Sequence, residues 1–292
     1  MSKPLFVSEA WSQTTLDRAL EPALEVDAPC EVTFETSDRT FQRLARGETL
    51  QQIGFHNANV VTGPLYVRGA EPGDALRIAV VDIALKSVWS LWVPGLGPLG
   101  RHTDRTQLRE IAIDGDRAVL RDGLSVPIRP MVGVVGLAPR EGASSTFRPT
   151  YPWGGNMDLR ELEPGGGQLL LPVQVPGALL FVGDLHAAMG TGEPTHVALE
   201  APGRATVRIE LVKHASLSFP RLREDEQTLF MGVADSYDEA KALAMDQVFA
   251  YLTNELGLTP FDAYAYASAR VSLRLGGPAS SIVMAALPDL DR

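Results

Sequence analysis

Residues 182–193, VGDLHAAMGTGE, place Asp184, His186 and Glu193 within twelve positions, beside three glycines and directly after the apolar run GALLFV. Two carboxylates and an imidazole are the donor set that a Zn²⁺-type ion accepts, and a catalytic site of that kind keeps one position for water. A second acid-and-amide group, Gly154-Gly155-Asn156-Met157-Asp158, follows the aromatic segment TYPW, and a third polar group is His56-Asn57-Ala58-Asn59. A metal at such residues lowers the pKa of water from 15.7 toward about 7. A nearby carboxylate can then take the proton and return it to a leaving group. Spacing alone leaves a plain reading open, since an Asp after glycine at a strand end commonly bonds its own backbone in a turn. His102, His196 and His214 are read as incidental, His196 lying within a hairpin and His214 at the end of a strand.

Other chemistries are excluded by what the sequence lacks. It has no G-x-S-x-G elbow, no G-x-x-x-x-G-K-[ST] phosphate loop and no HExxH. Cys30 is the single cysteine, so there is no disulfide framework or cysteine zinc cluster, and its place in an alternating strand reads as a small core residue. The formal charge of -10, with no basic run, argues against nucleic acid and anionic membranes as partners. The first residues lack a signal-peptide core and no later run reaches the length of a membrane span, so a cytoplasmic protein is expected.

The elements that must position these residues read mainly as short strands. CEVTFET (30–36) alternates apolar and polar, the period of a strand with one buried face. Residues 65–85 give two strands about the turn Glu71-Pro72-Gly73-Asp74, residues 131–139 a small-residue strand, and residues 166–184 a near-continuous apolar stretch broken by Pro172 and Pro176. THVALE and RATVRIELVKH are expected to form a hairpin across APGR. Glu-Pro-Gly turns at 71–73 and 163–165 each precede an apolar strand, a weak sign of internal duplication. After residue 220 the pattern changes: Ser236 and Glu239 cap a helix over 236–257, and Thr259-Pro260 open a second. The expected fold is mainly β, a sandwich or barrel-like body over 1–220, with a smaller mixed α/β part over 221–292 carrying one long helix.

These blocks resemble a known family. GPLYVRGAEPGDAL, MVGVVGLAP, GGNMDLRELEPGG, LLLPVQVPGALLFVGDLHAAMGTGE and GLTPFDAYAYAS are similar, in order and approximate spacing, to the signature blocks of the acetamidase/formamidase family over about residues 24–287. The resemblance implies hydrolysis of a short linear carboxamide to ammonia and a carboxylate. It also implies assembly as a homo-oligomer and a divalent metal, zinc in the first place, with Mn²⁺ or Ca²⁺ as oxygen-accepting alternatives. On that resemblance Asp158, Asp184 and His186 are expected as metal ligands, Glu193 as general base, Asn156 or a glycine N–H of the GGN segment as oxyanion donor, and His56 as a further site residue. Met189 and Thr191 depart from the glutamine and aspartate common in the second block. A relative that binds a larger amide or ureide in the same pocket, with altered or no turnover, is the alternative.

Overall fold

The computed structural model describes residues 4–147, 151–277 and 282–290. Two sheets carry the body. In the nine-stranded sheet the spatial order is Leu5–Val7, Cys30–Glu35, Gly203–Val212, Ala75–Leu85, Gln168–Pro172, Arg221–Glu224, Gln227–Val233, Ile282–Pro288 and Ser272–Gly276. The second sheet has eleven strands, and its centre runs Val88–Trp92, Leu199–Ala201, Leu180–Ala188, Met131–Leu137 and Gly154–Asn156. Val32, Phe34, Ile78 and Val207 of the first sheet share one buried cluster with Leu65, Val132, Leu180 and Val182 of the second. The inward side chains of two sheets fill a common core, which is a β-sandwich. Cys30 is half-buried in the first sheet, and burial pushes its thiol up, away from the reactive thiolate.

The turns expected from the sequence are present. The amide of Asp74 donates to the carbonyl of Glu71 at 3.0 Å, so the chain reverses between Val61–Val67 and Ala75–Leu85. The strands that follow the two Glu-Pro-Gly turns lie side by side and antiparallel, Gln168 opposite Ala79 and Pro172 opposite Ala75. The C-terminal strands extend the nine-stranded sheet. A helix at Tyr237–Ala250, capped by Ser236 on the Glu239 amide at 3.3 Å, lies over them and buries Ala244 and Val248 against Phe230, Ala285 and Leu287. Gly232 permits that approach, because a Cβ there would collide with the backbone of Ala240. Thr259 caps the following helix, Pro260–Arg270, with proline in its first turn. No helix among the described residues is long and apolar enough to cross a membrane.

The expected hairpin across APGR does not form. Leu199–Ala201 pairs with Leu180–Ala188 and Val88–Trp92 in one sheet, whereas Gly203–Val212 pairs with Cys30–Glu35 and Ala75–Leu85 in the other. Pro202 has no N–H for a ladder, and the chain crosses between sheets at that residue.

Candidate active site

The site begins with a change of partner along one strand. Leu180–Ala188 pairs with Met131–Leu137 on one edge. On the other edge its first half pairs with Val61–Val67, with Gly183 opposite Val61, and its second half pairs with Leu199–Ala201, with Leu185 opposite Ala201. Asp184 stands at the split, outside both registers, with φ 58°. Residues two apart on a strand share a face, so Asp184 and His186 project together. Antiparallel register then sets Glu200 directly across from His186.

Asp158 arrives from the far side of Met131–Leu137, just after Gly154–Asn156. The carbonyl of Gly133 accepts from the amides of Met157 and Asp158, both at 3.1 Å, and this fixes Asp158 at φ 45°. Gly133 also supplies the room, since a Cβ there would lie 2.6 Å from Asp158 Oδ1 and 2.9 Å from Asp184 Oδ2. Glu193 and His196 come from two successive turns, in which Glu193 donates its N–H to Gly190 at 3.0 Å and His196 to Glu193 at 2.9 Å. Eight non-glycine residues among those described have positive φ, and four of them, Asp158, Asp184, Glu193 and His196, line one cavity. Side chains held in the left-handed region cost of order 1–3 kcal/mol each and collect where a site requires them.

That cavity has a volume of about 350 Å³. His186, only 1% exposed, turns Nε2 toward Glu200 Oε2 at 3.5 Å, Asp184 Oδ1 at 3.6 Å and Asp158 Oδ1 at 3.7 Å. These separations are too long for good hydrogen bonds. Asp158 Oδ1 and His186 Nδ1 are buried without a hydrogen-bond partner among the described residues. Asn59 donates from Nδ2 to Asp184 Oδ2 at 3.0 Å and to Asn156 Oδ1 at 3.4 Å, and Glu200 Oε1 accepts from the Ala198 amide at 2.9 Å.

The electrostatics follow from crowding acids in a dry place. Burial raises the Asp158 carboxyl well above its usual range, and the Asp184 and Glu200 charges add to this against the opposing pull of His186. Glu193 is pushed up to about 9, by burial first and then by Asp158. Burial likewise raises Glu200, with Asp184 adding to it. For His186 burial works downward, but Glu200, Asp184 and Asp158 overcome it and hold the imidazole well above its ordinary value. Each of these groups is displaced toward its protonated form, so the cluster favours added positive charge.

A divalent cation would meet that demand. Asp158, His186 and Glu193 form one group whose ligand atoms all lie within 4.8 Å of one another, and Asp184, His186 and Glu200 form another. Two ligands on a tetrahedral ion with bonds of ~2.1 Å stand roughly 3.4 Å apart. The spacings of His186 to Glu200 and to Asp184, 3.5 and 3.6 Å, are close to that value. The ligand trio implied by the resemblance, Asp158, Asp184 and His186, is thus divided between two groups that share the histidine. Asn156 and Glu193 also line the cavity. His56 sits exposed on the helical turn Phe55–Asn57 and is not among the lining residues.

Two participants carried no sequence signal as site residues. Glu200 lies in an ordinary apolar-alternating strand, and only its register opposite His186 brings it in. His196, read as incidental within a hairpin, is in the turn before Leu199–Ala201 and lines the cavity, with its imidazole pushed down by burial.

Comparison with known proteins covers most of this architecture. The sequence pattern of the Acetamidase/Formamidase family matches residues 138–279, a span that includes Asp158, Asp184, His186, Glu193 and Glu200. The structure superposes on an acetamidase from Bacillus halodurans with a TM-score of 0.89 and 32% identity, covering 97% of each chain. A formamidase-like protein of Schizosaccharomyces pombe is 25% identical over 70% of this chain, and a formamidase of Methylophilus methylotrophus is 26% identical over 63% of it. These matches span 66% and 60% of the two relatives' own lengths.

Proposed function

Because this chain belongs to the acetamidase/formamidase family, we propose that it hydrolyses a linear carboxamide to ammonia and a carboxylate, with a divalent metal at the acid–imidazole cluster. The observation that carries this reading is the buried cluster itself: Asp158, Asp184, His186, Glu193 and Glu200 converge in one cavity, where Asp158, His186, Glu193 and Glu200 are displaced toward protonation. Asp184, His186 and Glu200 would hold the ion, and Asp158 and Glu193 remain to carry protons. When bound, a divalent ion supplies Lewis acidity that makes water acidic near neutral pH.

The chain's own groups then divide the work. Asn156 has its Oδ1 occupied by Asn59, which leaves Nδ2 as the end that donates to the substrate carbonyl oxygen as charge develops there. One such donor is worth about 3–4 kcal/mol in comparable sites. Glu193, in the cavity beside Asp158, would take a proton from the attacking water as the new C–O bond forms, once a bound cation offsets the burial and neighbouring acids that otherwise hold it protonated. It returns that proton to nitrogen as the C–N bond breaks, and ammonia leaves. Asn59 orients both Asn156 and Asp184 through one amide group.

The test pairs metal content with ammonia release from formamide and acetamide, before and after chelation. Stoichiometric metal with chelator-sensitive release is the expected result. Metal without turnover of any amide would favour a binding protein built on the same cavity.

A further inference from the structure

The cavity holds more than a minimal amide requires. About 350 Å³ is room for roughly twelve waters at the ~30 Å³ each occupies in the liquid, and it lies in the range of roughly 300–1,000 Å³ typical of pockets for far larger ligands. The acids gather around His186. Phe41, Leu50, Ala58, Leu91, Leu96 and Val197 supply apolar lining.

That apolar wall is preformed. Phe41, on the helix Arg39–Ala45, stacks on Trp89 with centroids 5.9 Å apart and planes 5° from parallel. Trp89 is fixed in turn by a 2.9 Å bond from Nε1 to Ser87 Oγ. Leu50, Leu91 and Leu96 pack into one cluster with Leu44, Ile53 and Val93. A second cavity, of about 480 Å³, shares Leu91, Leu96, Glu193 and Val197 with the first and adds Trp92, Leu99 and Met189. Methionine is unbranched and adapts to irregular apolar shapes. The two cavities thus share Glu193, the proposed proton carrier, and part of their apolar lining.

We propose that the preferred substrate is a primary carboxamide with an apolar acyl chain of several carbons, seated against Phe41, Leu50, Leu91, Leu96 and Val197. This rests on the amidase reading above. The leaving group in that reaction is ammonia, which fills almost nothing, so the apolar volume serves the acyl side. Formamide and acetamide would reach the polar groups but leave the wall uncovered.

The experiment measures kcat/KM for ammonia release by the metal-loaded protein along acetamide, propionamide, butyramide, pentanamide and hexanamide. Each buried methylene should raise kcat/KM about fourfold, the factor that corresponds to ~0.8 kcal/mol, until the wall is filled. Phe41→Ala and Leu96→Asn, measured separately, should each lower the pentanamide-to-acetamide ratio about tenfold. A ratio at or below one in the unaltered protein overturns the acyl-chain proposal and leaves the amidase reading standing. A high ratio that neither substitution changes overturns the placement of the chain on this wall. Absence of ammonia from every amide overturns the amidase reading and this proposal with it.

Discussion

Two buried aspartates show how one side-chain type serves opposite ends in this fold. Asp74 is 3% exposed and Asp158 2%. Around Asp74 every demand is met: its carboxylate accepts from Lys213 Nζ at 2.6 Å, the Glu71 amide at 2.9 Å and the His214 amide at 3.0 Å. Burial alone would raise its pKa, but Lys213 and the two amides reverse that and hold it below the ordinary value. Asp158 faces other acids, keeps Oδ1 without a partner and is driven up. Solvent exposure is the same in both places, but Asp74 lies near the surface beside half-exposed Lys213 while Asp158 lies deep, and compensation differs. The first aspartate ties a turn to a neighbouring strand, and the second holds unspent electrostatic demand for a cation or a proton.

The strongest way to press this contrast is Glu193→Gln. Turnover should fall about a hundredfold or more, as for loss of a general base, with metal content per chain unchanged. Loss of metal together with turnover would recast Glu193 as a ligand, and full activity would move the base elsewhere in the cluster. Steady-state kinetics and elemental analysis decide it.

Gly133→Ala should be the next largest. Its Cβ would press on both Asp158 Oδ1 and Asp184 Oδ2, and misplacement of catalytic groups by even about 1 Å can cost ~100-fold. We expect activity reduced by about tenfold or more with the fold retained by circular dichroism. Unchanged kinetics would mean that the carboxylates have freedom this packing denies.

Asp74→Asn, by contrast, should leave kcat/KM alone and cost stability, about 2 kcal/mol for the charged hydrogen bonds lost. Denaturant midpoints measure this, and an altered kcat/KM would join the two regions that the comparison separates. The smallest effect is a pH slope in chelated protein. Glu193 is pushed up to about 9 in the fold, against 4.5 for the group in an unfolded chain. A raised folded pKa gives stability that is complete below the unfolded value and is lost as pH rises through the folded one. The melting temperature of metal-stripped protein should therefore decline between about pH 4.5 and about 9. Glu193→Gln should flatten part of that decline. A rise with pH would refute the assignment, and Asp74, whose shift is opposite, should add a loss only on the acid side.

The members of the candidate site were legible as types and spacing, although spacing alone left a plain turn reading open. Asp158, Asp184, His186, Glu193 and Asn156 lie in glycine-rich blocks at strand ends, and all five line the same cavity. The sandwich, the Glu71–Asp74 turn and both capped helices were legible for the same reason, because turn chemistry, caps and side-chain period act over a few residues. The hairpin across APGR was misread because an apolar alternation on each side of a turn specifies two strands but not their partner.

What the sequence alone determined is local: which segments are strands or helices, where the chain turns, and which donors are available near each strand end. What only the tertiary structure decided is who meets whom. Glu200 reaches His186 through cross-strand register. Asn59 reaches Asp184 because Val61–Val67 pairs with half of the Leu180–Ala188 strand. Asp158 reaches both through Gly133 on the strand between. Each of these joins residues far apart in the chain. Their proximity follows from backbone pairing and from burial of two sheet faces against one another, neither of which any short stretch of sequence encodes.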